Sequence, residues 1–317
     1  MIYVLIAIAL LLIVAVLFIY WKFNDIFCRD NSFVNRSIAD ARNDMERDYL
    51  KEYYASVEQL KARKVEILTI ESLDGYKLKG YLYRTSPSNN KIILAVHGYH
   101  SGGVKDMGRY IGLYESLGYD YLIMSQRCHE ESEGRYISFG VNEHKDGLLW
   151  VNKILEMYGE DVNIVLHGVS MGGATVLMMS GSPDLPKQVN CVISDCSYDS
   201  FARQVDHMNE RFPEWFQNIV IPFMNNRAKK KIGFEFKDAA PVDMVPDSMI
   251  PCLFIHGDQD KYVPCEMMMN LCRAYGGPKD FLIVKGAPHA YSFTVNTDAY
   301  TQKFCRFVSA NGERKGN

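Results

Sequence analysis

The segment Asn163-Ile164-Val165-Leu166-His167-Gly168-Val169-Ser170-Met171-Gly172-Gly173-Ala174-Thr175-Val176-Leu177-Met178-Met179 decides how the chain is read. Asn163–Leu166 is a short apolar run of the kind that forms a strand, and Gly172–Met179 has helical patterning. Between them lies Gly-x-Ser-x-Gly, residues 168–172. A strand that turns this sharply into a helix leaves no room for bulky neighbours of the serine, hence Gly168 and Gly172. The Ser170 oxygen is thereby held out at the helix N-terminus, whose dipole favours developing negative charge. Gly-x-Ser-x-Gly is a weak signal alone and a strong one between a strand and a helix, where it reads as a nucleophile elbow.

On either side, strand-like and helix-like stretches alternate. The strands are Lys91–Val96, Tyr121–Ser125, Asn163–Leu166, Val189–Ser194, Cys252–His256 and Phe281–Val284; the helices include Glu143–Tyr158, Cys265–Ala274 and Thr297–Val308. That alternation predicts an α/β fold whose mostly parallel sheet is covered by helices on both faces. Two further β-prone runs, KVEILTI and KLKGYLY, flank the turn Asp74-Gly75 and predict an antiparallel hairpin at one edge, for eight strands in all. Residues of about 197–249, with the aromatic run FPEWFQNIVIPFMNNR, are too many for a structureless loop and predict a small helical cap.

Open parallel sheets carry their chemistry on loops beyond the C-terminal strand ends. After KIILAV comes His97-Gly98-Tyr99-His100-Ser101-Gly102-Gly103, where Gly98 precedes the Tyr99 N–H. That N–H and the one of Met171 form a candidate oxyanion hole. A phosphate-binding loop is excluded, because Val104 separates Gly103 from Lys105 and no hydroxyl follows. After CLFIH comes His256-Gly257-Asp258-Gln259-Asp260, a source of carboxylate to orient a histidine. After FLIV comes Gly286-Ala287-Pro288-His289, the candidate base.

These motifs, HGYHSGG, GVSMGG, HGDQDKYVP and GAPHAYS, resemble the α/β-hydrolase superfamily, nearest to serine aminopeptidase-like and acyl-esterase or thioesterase-like bacterial hydrolases. The resemblance runs from about Val65 to Val308. It implies Ser170 as nucleophile, Asp260 rather than Asp258 as the orienting acid, His289 as general base, and Tyr99 and Met171 as oxyanion donors. Relatives typically read Asp-x-Arg-x-His-Gly-x-Ser-x-Gly after the YLIM strand. Here Ser125 stands for the Asp and Glu130 for the Gly, whereas Gly140-x-x-Glu143-x-x-Asp146 matches the usual run.

Composition narrows the rest. With 35 basic and 38 acidic residues in 317 the net charge is −3, and no basic stripe or zinc-finger spacing is present. Nucleic acid is therefore not an expected partner. Eight cysteines are scattered without a CxxC pair and read as reduced structural residues. Ile2 to Tyr20 carries no charge and is followed by Trp21 and Lys22. A helix of that length rises about 30 Å, so residues 1–22 read as an uncleaved transmembrane anchor, with membrane contact over 2–21. A cleaved signal peptide would have basic residues before the run and small residues after it, and neither is there. Lys22, Arg29 and Arg36 on the C-terminal flank would put the catalytic domain on the cytoplasmic side. Residues 23–63 read as a linker and amphipathic helix, with the hydrolase domain over 64–317.

The implied reaction is acyl transfer to water through an acyl-enzyme, which asks for no metal and no organic cofactor. The expected substrate is a small-molecule or lipid-like acyl compound, an ester or thioester, with Trp215, Phe216, Phe223 and Met224 either lining an acyl pocket or packing the cap onto the sheet. A serine aminopeptidase or amidase is the alternative, with Glu130, Glu131 and Glu133 as candidates to hold a substrate amine. A non-catalytic binding protein on the same fold is the other.

Overall fold

The computed structural model describes residues 2–29, 37–86 and 88–314. Arg36, one of the flanking charges above, lies outside them, as does the side chain of Trp215. The chain begins with α1 (Ile2–Phe27) and α2 (Asp44–Lys61), the latter capped by the Asn43 side chain, which accepts from the Glu46 N–H. The hairpin follows as β1 (Val65–Glu71) and β2 (Lys77–Tyr83). Then come β3 (Lys91–Val96), α3 (Gly103–Met107), α4 (Ile111–Ser116), β4 (Asp120–Met124), α5 (Glu143–Tyr158), β5 (Asn163–Val169), α6 (Met171–Ser180) and β6 (Val189–Asp195). The long connection holds α7 (Phe201–Asn209), α8 (Glu214–Ile232) and α9 (Pro241–Met244). The chain closes with β7 (Cys252–Gly257), α10 (Cys265–Ala274), β8 (Lys279–Val284), α11 (Ser292–Val295) and α12 (Thr297–Asn311).

Among the described residues the strands form one eight-stranded sheet in the order β1-β2-β4-β3-β5-β6-β7-β8. Only the β1–β2 and β2–β4 pairings are antiparallel. The period of two in a strand divides the core between the faces. Ile92, Leu94 and Val96 of β3 join Ile164, Leu166 and Phe254 on one side, with Trp150 of α5 beneath them. Ile93 and Ala95 join Val165, Leu253 and Ile255 on the other, against Tyr300 and Phe304 of α12. Both faces are buried, which is why these strands read as unbroken apolar runs. β5 extends past Leu166 because His167 and Gly168 keep pairing with Ala95 and Val96 of β3.

The membrane anchor expected over residues 2–21, and with it a catalytic domain on the cytoplasmic side, is overturned. Among the described residues no helix is long and apolar enough to cross a membrane. The C-terminal turns of α1 touch the domain instead. The helix runs on to Phe27, and Phe23 and Phe27 are fully buried in a third cluster with Phe139, Phe201, Phe234 and Phe236. The Phe27 ring stacks on Phe236 at 5.9 Å and meets Phe139 edge-on at 5.6 Å. Apolarity at this end of α1 thus serves packing on the domain. Nearer the N-terminus, described side chains such as Ile2, Leu10 and Leu17 are exposed.

Candidate active site

β5 delivers Ser170 to the start of α6 with φ 55° and ψ −118°, a conformation L-residues rarely adopt. The surrounding contacts over-determine it. The Ser170 N–H donates to the Asp195 carbonyl at the end of β6, 2.8 Å away. A Cβ on Gly168 would lie 2.1 Å from the Gly172 carbonyl oxygen, and one on Gly172 would lie 2.1 Å from the Val96 oxygen. Both obstacles are backbone, so neither can move aside. Gly172→Ala is therefore expected to destabilise the fold by about 3 kcal/mol, more than an ordinary overpacked core site, measurable as a lowered denaturation midpoint. Gly98 is different. A Cβ there would meet nothing closer than 3.5 Å, so its position is held by polar contact, its N–H donating to Asp106 Oδ2 at 3.0 Å.

Three loops converge on Ser170. The Ser170 hydroxyl lies 2.9 Å from His289 Nε2, and His289 Nδ1 lies 2.7 Å from Asp260 Oδ2. Since a carboxylate only accepts, the Nδ1 carries the proton and Nε2 presents its lone pair to the serine. The Asp260 carboxylate takes more than this one bond. Its Oδ1 accepts from the N–H groups of Tyr262 and Val263 at 3.0 and 2.8 Å, and His256 Nε2 stands 3.2 Å from Oδ2. Burial pushes this carboxyl up, but the hydrogen bonds from His256 and His289 outweigh it and hold it well below the usual carboxylate range. A carboxyl held this way is suited to accept from His289 Nδ1. Asp258 is turned elsewhere: its Oδ1 accepts from the Gly286 N–H at 2.7 Å and braces the turn that carries the histidine.

Tyr99 and Met171 line the same cavity as Ser170. The Tyr99 phenol donates to the Ile26 carbonyl of α1 at 2.7 Å, so it is tied down as a packed aromatic, and its ring stacks on His100. The divergent loop after β4 is structural. Gln126 takes up both the ring and the carbonyl of His97, its N–H donating to His97 Nε2 at 3.0 Å and its side chain to His97 O at 2.6 Å. Arg127 bridges Asp146 and Asp74, and Glu143 accepts from Ser138 and Gly140. Of the apolar cap residues read from sequence, Phe216 and Met224 line the cavity, while Phe223 sits against Tyr20 of α1.

Two groups escaped the sequence reading. His256 stands in the quoted HGDQD motif, but only the fold shows its Nε2 sharing Asp260 with His289. Asp195, one residue past the strand read as Val189–Ser194, is fully buried beneath Ser170. Burial raises its carboxyl to about 6, against the pull of His256, the Tyr300 hydroxyl and Arg109. Because the folded value lies above the ordinary 3.8, the stability this group contributes is fully present below about pH 4 and is lost as pH rises through about 6. Asp195→Asn is therefore expected to raise stability at pH 8 by up to about 3 kcal/mol, each tenfold change in proton affinity being worth about 1.36 kcal/mol. The gain should vanish at pH 4, which paired urea titrations at the two pH values would read.

The sheet order, the strained serine after β5 and the loops after β7 and β8 are those of the α/β hydrolase fold. Residues 91–240 match the family model described as the alpha/beta hydrolase fold. Among curated proteins the chain is 28% identical to the uncharacterized protein YqkD of Bacillus subtilis (strain 168) over 270 residues, 83% of this chain and 84% of that one. Among solved structures it is similar to the Pyrococcus furiosus esterase Pf2001, with a TM-score of 0.63 at 20% identity, over 80% of this chain and 94% of that one. It is also similar to a Pyrococcus horikoshii acylaminoacyl peptidase, with a TM-score of 0.60 at 16% identity, over 83% of this chain and 44% of the longer peptidase. At these identities the structural likenesses show the fold.

Proposed function

We propose that the chain is a serine hydrolase that cleaves a carboxylic ester or thioester through an acyl-enzyme on Ser170. The observation that carries this reading is the aligned chain from Ser170 Oγ to His289 Nε2, 2.9 Å, and from His289 Nδ1 to Asp260 Oδ2, 2.7 Å. His289 takes the hydroxyl proton as Ser170 Oγ attacks the carbonyl carbon. Asp260 stabilises the imidazolium that results. The N–H groups of Tyr99 and Met171 receive the oxyanion, with the α6 dipole behind the second. His289 then protonates the leaving alcohol or thiol. Water, deprotonated by the same nitrogen, attacks the acyl carbon and frees Ser170.

The lining supports an ester over a peptide with a free amine. An aminopeptidase needs a carboxylate facing the substrate nitrogen; among the described residues Glu130, Glu131 and Glu133 are absent from the cavity wall, and its one carboxylate, Asp25, is paired with Lys22 at 2.8 Å. Glu130 accepts from the Gly103 N–H and Glu133 from the Lys77 N–H, each at 2.9 Å. A purely binding protein would have no use for a proton relay so oriented. The test is hydrolysis of p-nitrophenyl butanoate and of alanine p-nitroanilide by the full chain and by Ser170→Ala. Ester turnover that disappears in the variant, with the anilide at least about a hundredfold slower, supports the reading. A folded wild-type chain without ester turnover, or a variant as active as wild type, overturns it.

A further inference from the structure

Ser170 opens onto a cavity of about 520 Å³, a volume typical of sites that enclose a small organic ligand. Ile19 and Ile26 of α1 form one side and Phe216, Val220 and Ile221 of α8 another. Phe139 and Phe201, stacked at 3.8 Å, close part of the remainder. Among the described residues, the carboxylate, lysine and arginine side chains on the wall are Lys22, Asp25 and Arg211, all on the solvent side, and the one imidazole is His100, bonded to the Cys28 carbonyl. Lys22 and Asp25 are each 43% exposed and pair with one another at 2.8 Å, and Arg211 is exposed. Beyond that rim the wall is mostly apolar, with His100, Gln204 and Asn209 as polar exceptions besides Ser170, and an apolar wall rewards an apolar occupant.

Which half of an ester enters follows from the positions of the reacting groups. Tyr99, Ser170 and Met171 lie on the cavity wall, and His289 does not. His289 hands its proton to the leaving group, so that group departs on the histidine side and the acyl half stays with the cavity. The α1 wall is fixed to the oxyanion loop itself. The Ile26 and Cys28 carbonyls accept from the Tyr99 hydroxyl and from His100 Nε2 at 2.7 and 3.0 Å, and the Phe27 carbonyl accepts from the Ile137 N–H at 2.8 Å. Arg29 adds bonds to the Glu130 and Ser132 carbonyls.

We infer that this cavity binds a straight apolar acyl chain longer than butanoyl, and that α1 and α8 are the walls that select for its length; the inference rests on Ser170 acting as proposed above. The test is the kcat/KM series of the full chain on p-nitrophenyl acetate, butanoate and decanoate, with a fluorophosphonate probe run in parallel. A methylene moved from water into such a wall contributes about 0.8 kcal/mol, about fourfold in kcat/KM, so decanoate should exceed butanoate by at least about tenfold even if only part of the chain is enclosed. Ile19→Trp on α1 and Ile221→Trp on α8, each checked for wild-type melting, should lower the decanoate-to-acetate ratio by about tenfold or more. Probe labelling with a flat or falling chain-length series overturns the inference alone, as does an unchanged ratio in either variant that melts like wild type. Absence of labelling overturns the reading of Ser170 and this inference with it.

Discussion

His289→Ala is expected to lower kcat for a short-chain ester by at least about 10⁴-fold, with KM changed far less, because a residue that acts with the nucleophile as a unit is worth nearly the whole unit. The geometry gives the cause. At 2.9 Å, His289 Nε2 is the basic atom bonded to the Ser170 hydroxyl, and among the described residues no other hydrogen bond of that hydroxyl offers a base. The other buried histidines near the loop are committed: His97 Nδ1 to the Gly98 carbonyl, His129 Nδ1 to the Arg127 carbonyl, His167 to the Tyr114 hydroxyl and His256 Nε2 to the Val263 carbonyl. Burial, the first cause, holds His129 and His167 below the ordinary histidine range. None is placed to substitute. A steady-state assay at neutral pH checks the loss, and residual turnover within about tenfold of wild type would mean another group takes the proton.

Asp260→Asn is the second large effect, a fall of about 10⁴-fold in kcat. An amide can turn its NH2 toward His289 Nδ1, which moves the imidazole proton to Nε2 and leaves Ser170 facing a donor instead of a base. The variant should keep its fold more readily than it keeps activity, since the Asn oxygen can still accept from the Tyr262 and Val263 N–H groups that Asp260 Oδ1 now holds. Activity of Asp260→Asn that recovers at high pH, where a water-derived base can act, would fit this mechanism; activity equal to wild type at all pH values would contradict it. Asp258→Asn provides the comparison. Its Oδ1 bond to the Gly286 N–H can be kept by an amide oxygen, so its loss should stay within about tenfold.

The parts of this site that were legible in sequence are those where local sterics dictate residue type. Gly168 and Gly172 admit no Cβ because backbone oxygens stand 2.1 Å away, so Gly-x-Ser-x-Gly between a strand and a helix carries its own structural meaning. The apolar runs of β3, β5 and β7 were legible for a similar reason, being buried on both faces. Contacts between segments distant in sequence were not legible. An apolar helix end packs as well into lipid as against Phe139 and Phe236, and the residues around Phe23 and Phe27 do not announce which they meet. The clamp from Ile26 and Cys28 to Tyr99 and His100 spans more than seventy residues and leaves no local pattern. Asp258 and Asp260 are equally plausible acids by spacing, and family resemblance separated them where the residues alone could not. Asp195 gave no signal either, because its burial depends on β6 lying beside β5 beneath the elbow.

The reactivity of Ser170 toward a fluorophosphonate is the most direct measurement of the central claim. Intact-mass analysis of the folded full chain should show a single adduct, mapped by peptide sequencing to Ser170 and absent from Ser170→Ala at the same probe concentration. A folded wild-type chain that stays unlabelled, or a Ser170→Ala chain labelled as fast as wild type, would contradict it.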